Sequence, residues 1–126
     1  MGTVNATRVL VVDDEPMVRE VLARYLAKEG YAVDVAEDGE QALAAYAQAL
    51  PDLVLLDLML PRIDGLEVFR RIREQAPTAV IMLTARGEET DRVWGMRQGA
   101  RDYVVKPVVE QQLLDVMTAI AKAVPV

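Results

Sequence analysis

The sequence predicts an α/β domain in which five short parallel strands are covered by helices on both faces. Three observations carry that expectation. Short runs rich in Val, Leu and Ile recur five times, and stretches of helical period lie between them. The runs are nearly continuous rather than alternating, which is the pattern of strands buried on both sides. Gly30, Pro51, Pro77 and Pro107 punctuate the joints.

Arg8 to Val12 reads as the first strand. Pro16, after Asp14 and Glu15, suits the first turn of a helix, where its missing N–H has no partner to lose. Val18, Leu22, Tyr25 and Leu26 trace that helix's apolar stripe until Gly30 ends it. Ala32 to Ala36 is the second strand, and Leu43, Tyr46, Ala47 and Leu50 line the helix before Pro51. Leu53 to Asp57 is the third strand, followed by a helix lined by Leu66, Phe69 and Ile72. Val80 to Thr84 is the fourth strand. Glu88 to Gln98 is a helix with the least regular stripe, and Asp102 to Val105 is the fifth strand. The last helix carries Leu113, Leu114, Met117, Ile120, Ala121 and Val124. Five β units alternating with five α units give a doubly wound sheet, for which the flavodoxin-like order 2-1-3-4-5 is the leading arrangement. In that order the chain reverses between the first and third strands, and ligands gather beyond the carboxyl ends of strands at such a point. Residues 1–7 are expected to form a flexible tail and 8–126 the domain.

At 126 residues the chain is one domain long. With no cysteine and no histidine, it carries no disulfide, thiolate nucleophile, imidazole metal ligand or phosphohistidine of its own. The formal charge of -6 opposes the field of a polyanion, so nucleic acid is not expected as a partner. The apolar runs are far shorter than a membrane span and the start lacks a signal-like apolar stretch. A cytoplasmic location without membrane contact is expected.

The acids fall in one place on this frame. Asp13 and Asp14 end the first strand and Asp57 ends the third, its neighbour at the chain reversal. Two unit charges about 4 Å apart repel by about 4 kcal/mol at an effective dielectric near 20. Three such pairs would consume much of a typical domain stability of about 5–15 kcal/mol, so something must compensate. An all-oxygen site of this kind suits Mg²⁺, with Mn²⁺ as the alternative. Lys106, just past the fifth strand, can also reach back over the same edge as an ammonium, and Thr84 adds a hydroxyl at the end of the fourth. A cis bond at Lys106-Pro107 would be one way to fix that lysine's direction. Any one of these acids alone would more often be a helix cap or turn residue. Five polar residues at the ends of four strands point to a site.

The segments VLVVDDE (9–15), LVLLDLMLPRIDG (53–65), VIMLTA (80–85) and GARDYVVKP (99–107) resemble the receiver domain of two-component response regulators, across essentially the whole chain. The resemblance implies Asp57 as phosphoryl acceptor. It implies a metal held by Asp13, Asp14, Asp57 and the backbone carbonyl of Met59, with Lys106 and Thr84 on the phosphoryl oxygens. Thr84 and Tyr103 would form the switch that reshapes the fourth helix, fifth strand and fifth helix. Met59 and Arg86 would tune water access, so that Met59→Asn shortens the phosphoryl lifetime. The implied partners are a sensor histidine kinase or phosphotransfer protein and an output protein or further effector domain. The first two thirds resemble receivers of winged-helix regulators. The stretch ETDRVWGMRQGARDYVVKPV is closer to stand-alone receivers of chemotaxis and twitching motility. Since the last helix lacks the arginines of the winged-helix dimer, a monomer or a weak phosphorylation-dependent dimer is expected. Trp94 reads equally as a partly buried anchor or a partner contact.

Two other readings share some features. Haloacid-dehalogenase phosphatases also use an aspartyl nucleophile with Mg²⁺, but need a second Asp where this chain has Met59. A degenerate receiver acting only as an interaction module would not need the intact acids, Thr84 and Lys106. A nucleotide or flavin switch lacks its glycine loop after the first strand, where VVDDEP repels anions.

Overall fold

A computed structural model describes residues 7–85 and 89–123. Five strands alternate with five helices, in chain order β1 (Arg8–Val12), α1 (Pro16–Lys28), β2 (Ala32–Ala36), α2 (Gly39–Ala49) and β3 (Leu53–Asp57), then α3 (Gly65–Gln75), β4 (Ala79–Thr84), α4 (Glu89–Arg97), β5 (Asp102–Val105) and α5 (Glu110–Ala123). All pairings are parallel, in the order β2-β1-β3-β4-β5. The expected topology is therefore present, with β4 starting one residue earlier than the apolar run suggested.

The strands sort their side chains by parity. Leu10, Val12, Val54, Leu56, Val80 and Met82 face one layer with Ala42, Tyr46, Val68, Phe69 and Ile72 of α2 and α3. Val9, Val11, Leu53, Leu55, Ile81, Leu83 and Val104 face the other, with Leu22 and Leu26 of α1 and Leu113 and Met117 of α5. β3 and β4 are buried at every position, which is why their sequences do not alternate. Each buried Leu or Val contributes about 1.5–3 kcal/mol over its exposed state, so this double layer holds the sheet edges rigidly.

Helix ends follow local chemistry. Gly30, at φ +93°, takes the left-handed turn that closes α1, and the Gly30 and Tyr31 N–H groups return to the Ala27 and Leu26 carbonyls. Asp38 and Asp64 cap α2 and α3 by accepting the Gln41 and Glu67 N–H groups at 2.8 and 3.0 Å. One expected stripe is corrected. On α2 the buried residues are Gly39, Ala42 and Tyr46, with Leu43 partly buried against the core. Ala47 is exposed, and Leu50 leaves the stripe because it adopts φ 48° to end the helix, its N–H bonding the Tyr46 carbonyl.

Candidate functional site

β1 and β3 pair in register from Val9↔Leu53 to Val12↔Leu56, so the next residue of each, Asp13 and Asp57, emerges at the same edge. Both are buried, whereas Asp14 is exposed. One carboxylate oxygen from each of Asp13, Asp14 and Asp57 lies within 4.8 Å of the other two. The two buried acids divide their oxygens alike. Asp13 Oδ1 accepts the Glu15 N–H at 2.9 Å and Asp57 Oδ1 accepts the Met59 N–H at 3.0 Å, each tightening the turn that follows its strand. The bland role of an Asp in a turn is thus present in both, on one oxygen.

The second oxygens face Lys106. Its Nζ lies 2.7 Å from Asp13 Oδ2 and 3.1 Å from Asp57 Oδ2. The Asp57 contact is a hydrogen bond. Asp13 Oδ2 is different: it is buried and accepts no aligned hydrogen bond, so its contact with Nζ is ionic only. A buried carboxylate oxygen without an aligned hydrogen bond is open to a metal cation as a ligand. Lys106 is aimed by its backbone, whose N–H donates to the Thr84 carbonyl at 2.7 Å where β5 leaves β4. The Lys106-Pro107 bond is cis.

This setting moves two pKa values. Burial pushes the Asp57 carboxyl up from 3.8 to about 6; the Met59 N–H and Lys106 oppose the rise and the charge of Asp13 adds to it. Burial alone would lower Lys106, but the close ionic contact with Asp13 and the hydrogen bond and charge of Asp57 outweigh it and raise the ammonium above its ordinary value.

Asp13, Asp14, Asp57 and Lys106 thus meet at one rim. Thr84 is buried at the end of β4, one strand over from Asp57 and tied to Lys106 through its carbonyl. The Met59 side chain is exposed beside the acids. Tyr103 is half-buried on β5, in register with Met82 and packed on the same layer. Trp94 is 41% exposed and lines a cavity of about 240 Å³ with Phe69, Arg70 and Arg73, between anchor and free surface. Arg86 lies outside the described residues.

Two residues at the site were not foreseen. Glu15 Oε1 lies 3.2 Å from Lys106 Nζ, giving the lysine a third carboxylate. Gly65 begins α3 directly against the exit of β3, where a Cβ would fall 2.3 Å from the Asp57 carbonyl oxygen. The Asp64-Gly65 pair before an amphipathic run was the available signal for a tight helix start; nothing in the sequence pairs residues 15 and 106.

Residues 9–118 match the family described as "Response regulator receiver domain". The chain belongs to that family. This receiver domain is 50% identical over 114 residues to the transcriptional regulatory protein ResD of Bacillus subtilis, covering 90% of this chain and 48% of ResD. It is 46% identical over 126 residues to the transcriptional regulatory protein TcrA of Mycobacterium tuberculosis, covering 99% of this chain and 50% of TcrA. The chain therefore spans about half the length of these relatives. Among solved structures, the receiver domain of NtrX from Brucella abortus superposes with a TM-score of 0.88 at 34% identity, over 92% of this chain and 99% of that one. Among the described residues of the receiver, no helix is long and apolar enough to cross a membrane.

Proposed function

We propose that this receiver domain takes a phosphoryl group onto Asp57 from a phosphohistidine on a sensor histidine kinase or phosphotransfer protein, and passes the change to an output partner or further effector domain. The observation that carries the reading is the sharing of Lys106 Nζ between Asp57 Oδ2 and Asp13 Oδ2 at the sheet's carboxyl edge. Asp57 has one oxygen fixed by the Met59 N–H and the other turned to the rim, so its nucleophilic atom is already selected.

In the transfer, Asp57 Oδ2 forms a bond to phosphorus while the phosphorus–nitrogen bond breaks and the imidazole leaves with the electron pair. Phosphoryl transfer asks the protein mainly for positioning and neutralisation of charge. Lys106 gives up one of its carboxylate contacts to reach a phosphoryl oxygen, and the Thr84 hydroxyl donates to another. Asp13, Asp14, Asp57 and the Met59 carbonyl would hold Mg²⁺, or Mn²⁺, which supplies further neutralisation of the phosphoryl oxygens. The fit rests on the all-oxygen donor set and on Asp13 Oδ2, buried without an aligned donor. Water attacking phosphorus returns Asp57 to its carboxylate, a slow reset that the side chains of Met59 and Arg86 tune. The added charge draws Thr84 inward and Tyr103 after it, which remodels the α4-β5-α5 surface. The partners meet in the cytoplasm, with the domain a monomer or a weak phosphorylation-dependent dimer.

Incubation with Mg²⁺ and acetyl phosphate, followed by intact mass, tests the assignment. One added phosphoryl group is expected on the wild type and none on Asp57→Asn. No adduct, or an equal adduct on the variant, would sink the assignment.

A further inference from the structure

Lys106 faces three carboxylates, and the third has no place in the chemistry above. Glu15 Oε1 sits 3.2 Å from Nζ, and its side chain is 60% exposed while those of Asp13 and Asp57 are buried. Glu15 has a nearer candidate partner in Arg19, four residues on, the spacing that favours a helical ion pair. Arg19 is engaged elsewhere: its Nη1 donates to the Asp13 carbonyl at 2.8 Å and its Nη2 lies 3.7 Å from Glu37. The start of α1 therefore presents the Glu15 charge to Lys106.

Three carboxylate oxygens lie within 3.2 Å of the ammonium. A phosphoryl oxygen arriving at Lys106 must displace one of them. Asp13 and Asp57 are held in the sheet edge, and freeing either would leave a buried charge unpaired. Glu15 can swing into water at little cost. We propose that Glu15 is a positioning residue that holds Lys106 at the rim and competes with the incoming phosphoryl group for it, so that the site disfavours free donors in proportion to their negative charge. The proposal rests on Asp57 being the acceptor. It goes beyond that reading in giving the third acid a role in donor selectivity.

The magnitude follows from Coulomb's law. A unit charge about 6 Å from a dianion in well-hydrated surroundings, partly screened by salt, changes an encounter by about threefold to tenfold, and a monoanion by about twofold to threefold. The test compares initial phosphorylation rates of wild type, Glu15→Gln and Glu15→Asp at saturating Mg²⁺. The donors are doubly charged acetyl phosphate and singly charged phosphoramidate, each at low and high salt. Glu15→Gln is expected to be about three to ten times faster than wild type with acetyl phosphate. With phosphoramidate the gain is expected to be only about two to three times, and the difference between donors should shrink at high salt. Glu15→Asp keeps the charge and is expected to stay near wild type. An unchanged or slower Glu15→Gln, equal gains on both donors, or a Glu15→Asp that matches Glu15→Gln would overturn the proposal. So would a gain that appears only as a shifted Mg²⁺ midpoint, since that would place Glu15 with the metal. If the wild type takes no phosphoryl group at all, the Asp57 assignment fails and the role of Glu15 with it; where the wild type labels normally, a failure of the expected ratios falls on Glu15 alone.

Discussion

Two ionic clusters in this molecule use the same kinds of side chain and reach opposite electrostatic results. On the outer face of α3, Glu67 and Glu74 meet Arg70 and Arg71 at 2.5 to 3.0 Å, two acids against two bases in water. Hydrogen bonds from Arg70 and then Arg71 pull the Glu67 carboxyl down from 4.5 to about 2. At the rim, Asp13, Asp57 and Glu15 share Lys106, three acids against one base among the described side chains of that contact, and burial pushes Asp57 up to about 6. Matched charges in solvent lower the free energy of the ionised acid. Unmatched charges under a buried sheet edge raise it, and that imbalance leaves room for a cation and a phosphoryl group.

The largest expected effect comes from removing the base that the rim carboxylates share. Lys106→Met leaves two buried carboxylates facing each other, and breaking a buried pair in this way costs about 3–5 kcal/mol. Urea unfolding at pH 7.5 in a chelator should show that loss, and the loss should shrink as the pH is lowered toward 5, where Asp57 takes up a proton. A loss below about 1 kcal/mol would mean that Lys106 does not compensate the acids.

Removing the most strained acid should do the reverse. Because its folded pKa is raised from 3.8 to about 6, Asp57 holds a proton in the folded state that the unfolded chain releases. Its contribution to stability is therefore full below about pH 4 and lost as pH rises through about 6. Above that range Asp57 destabilises the cation-free protein by up to about 3 kcal/mol. Asp57→Asn is expected to be more stable by up to that amount at pH 7.5 in chelator, and no more stable near pH 4. A variant less stable than wild type at pH 7.5 would sink this account.

Much of the rim was legible because it is encoded twice. Apolar runs locate the strands, and Asp13, Asp14, Asp57, Thr84 and Lys106 fall at their carboxyl ends, so topology alone gathers them. What stayed hidden depends on side-chain direction. That Asp13 and Asp57 each tie one oxygen to a turn and aim the other at Lys106 cannot be read from spacing. Nor can the contact of Glu15 with Lys106, which joins opposite ends of the chain, or the closeness of Gly65 to the Asp57 carbonyl. The apolar stripe of α2 erred at Leu50 for a related reason, since a left-handed terminal residue leaves the helical period. Local pattern reports where the backbone goes; which oxygen faces which nitrogen is decided by the packing of the finished sheet.

The smallest expected effect lies on α3, and its sign and salt response separate the two clusters. Glu67 has a lowered folded pKa, so its contribution is present above the unfolded value of 4.5 and is lost as pH falls toward about 2. Its window lies below that of Asp57 and has the opposite slope. Glu67→Gln at pH 7.5 should therefore destabilise rather than stabilise, and only slightly, because exposed ion pairs are offset by solvent and side-chain entropy. Molar salt should erase the difference between Glu67→Gln and wild type while leaving most of that between Lys106→Met and wild type, whose charges salt cannot reach. If the two differences fell together with salt, the rim would be electrostatically as open as the surface of α3, and burial could not be what raises Asp57.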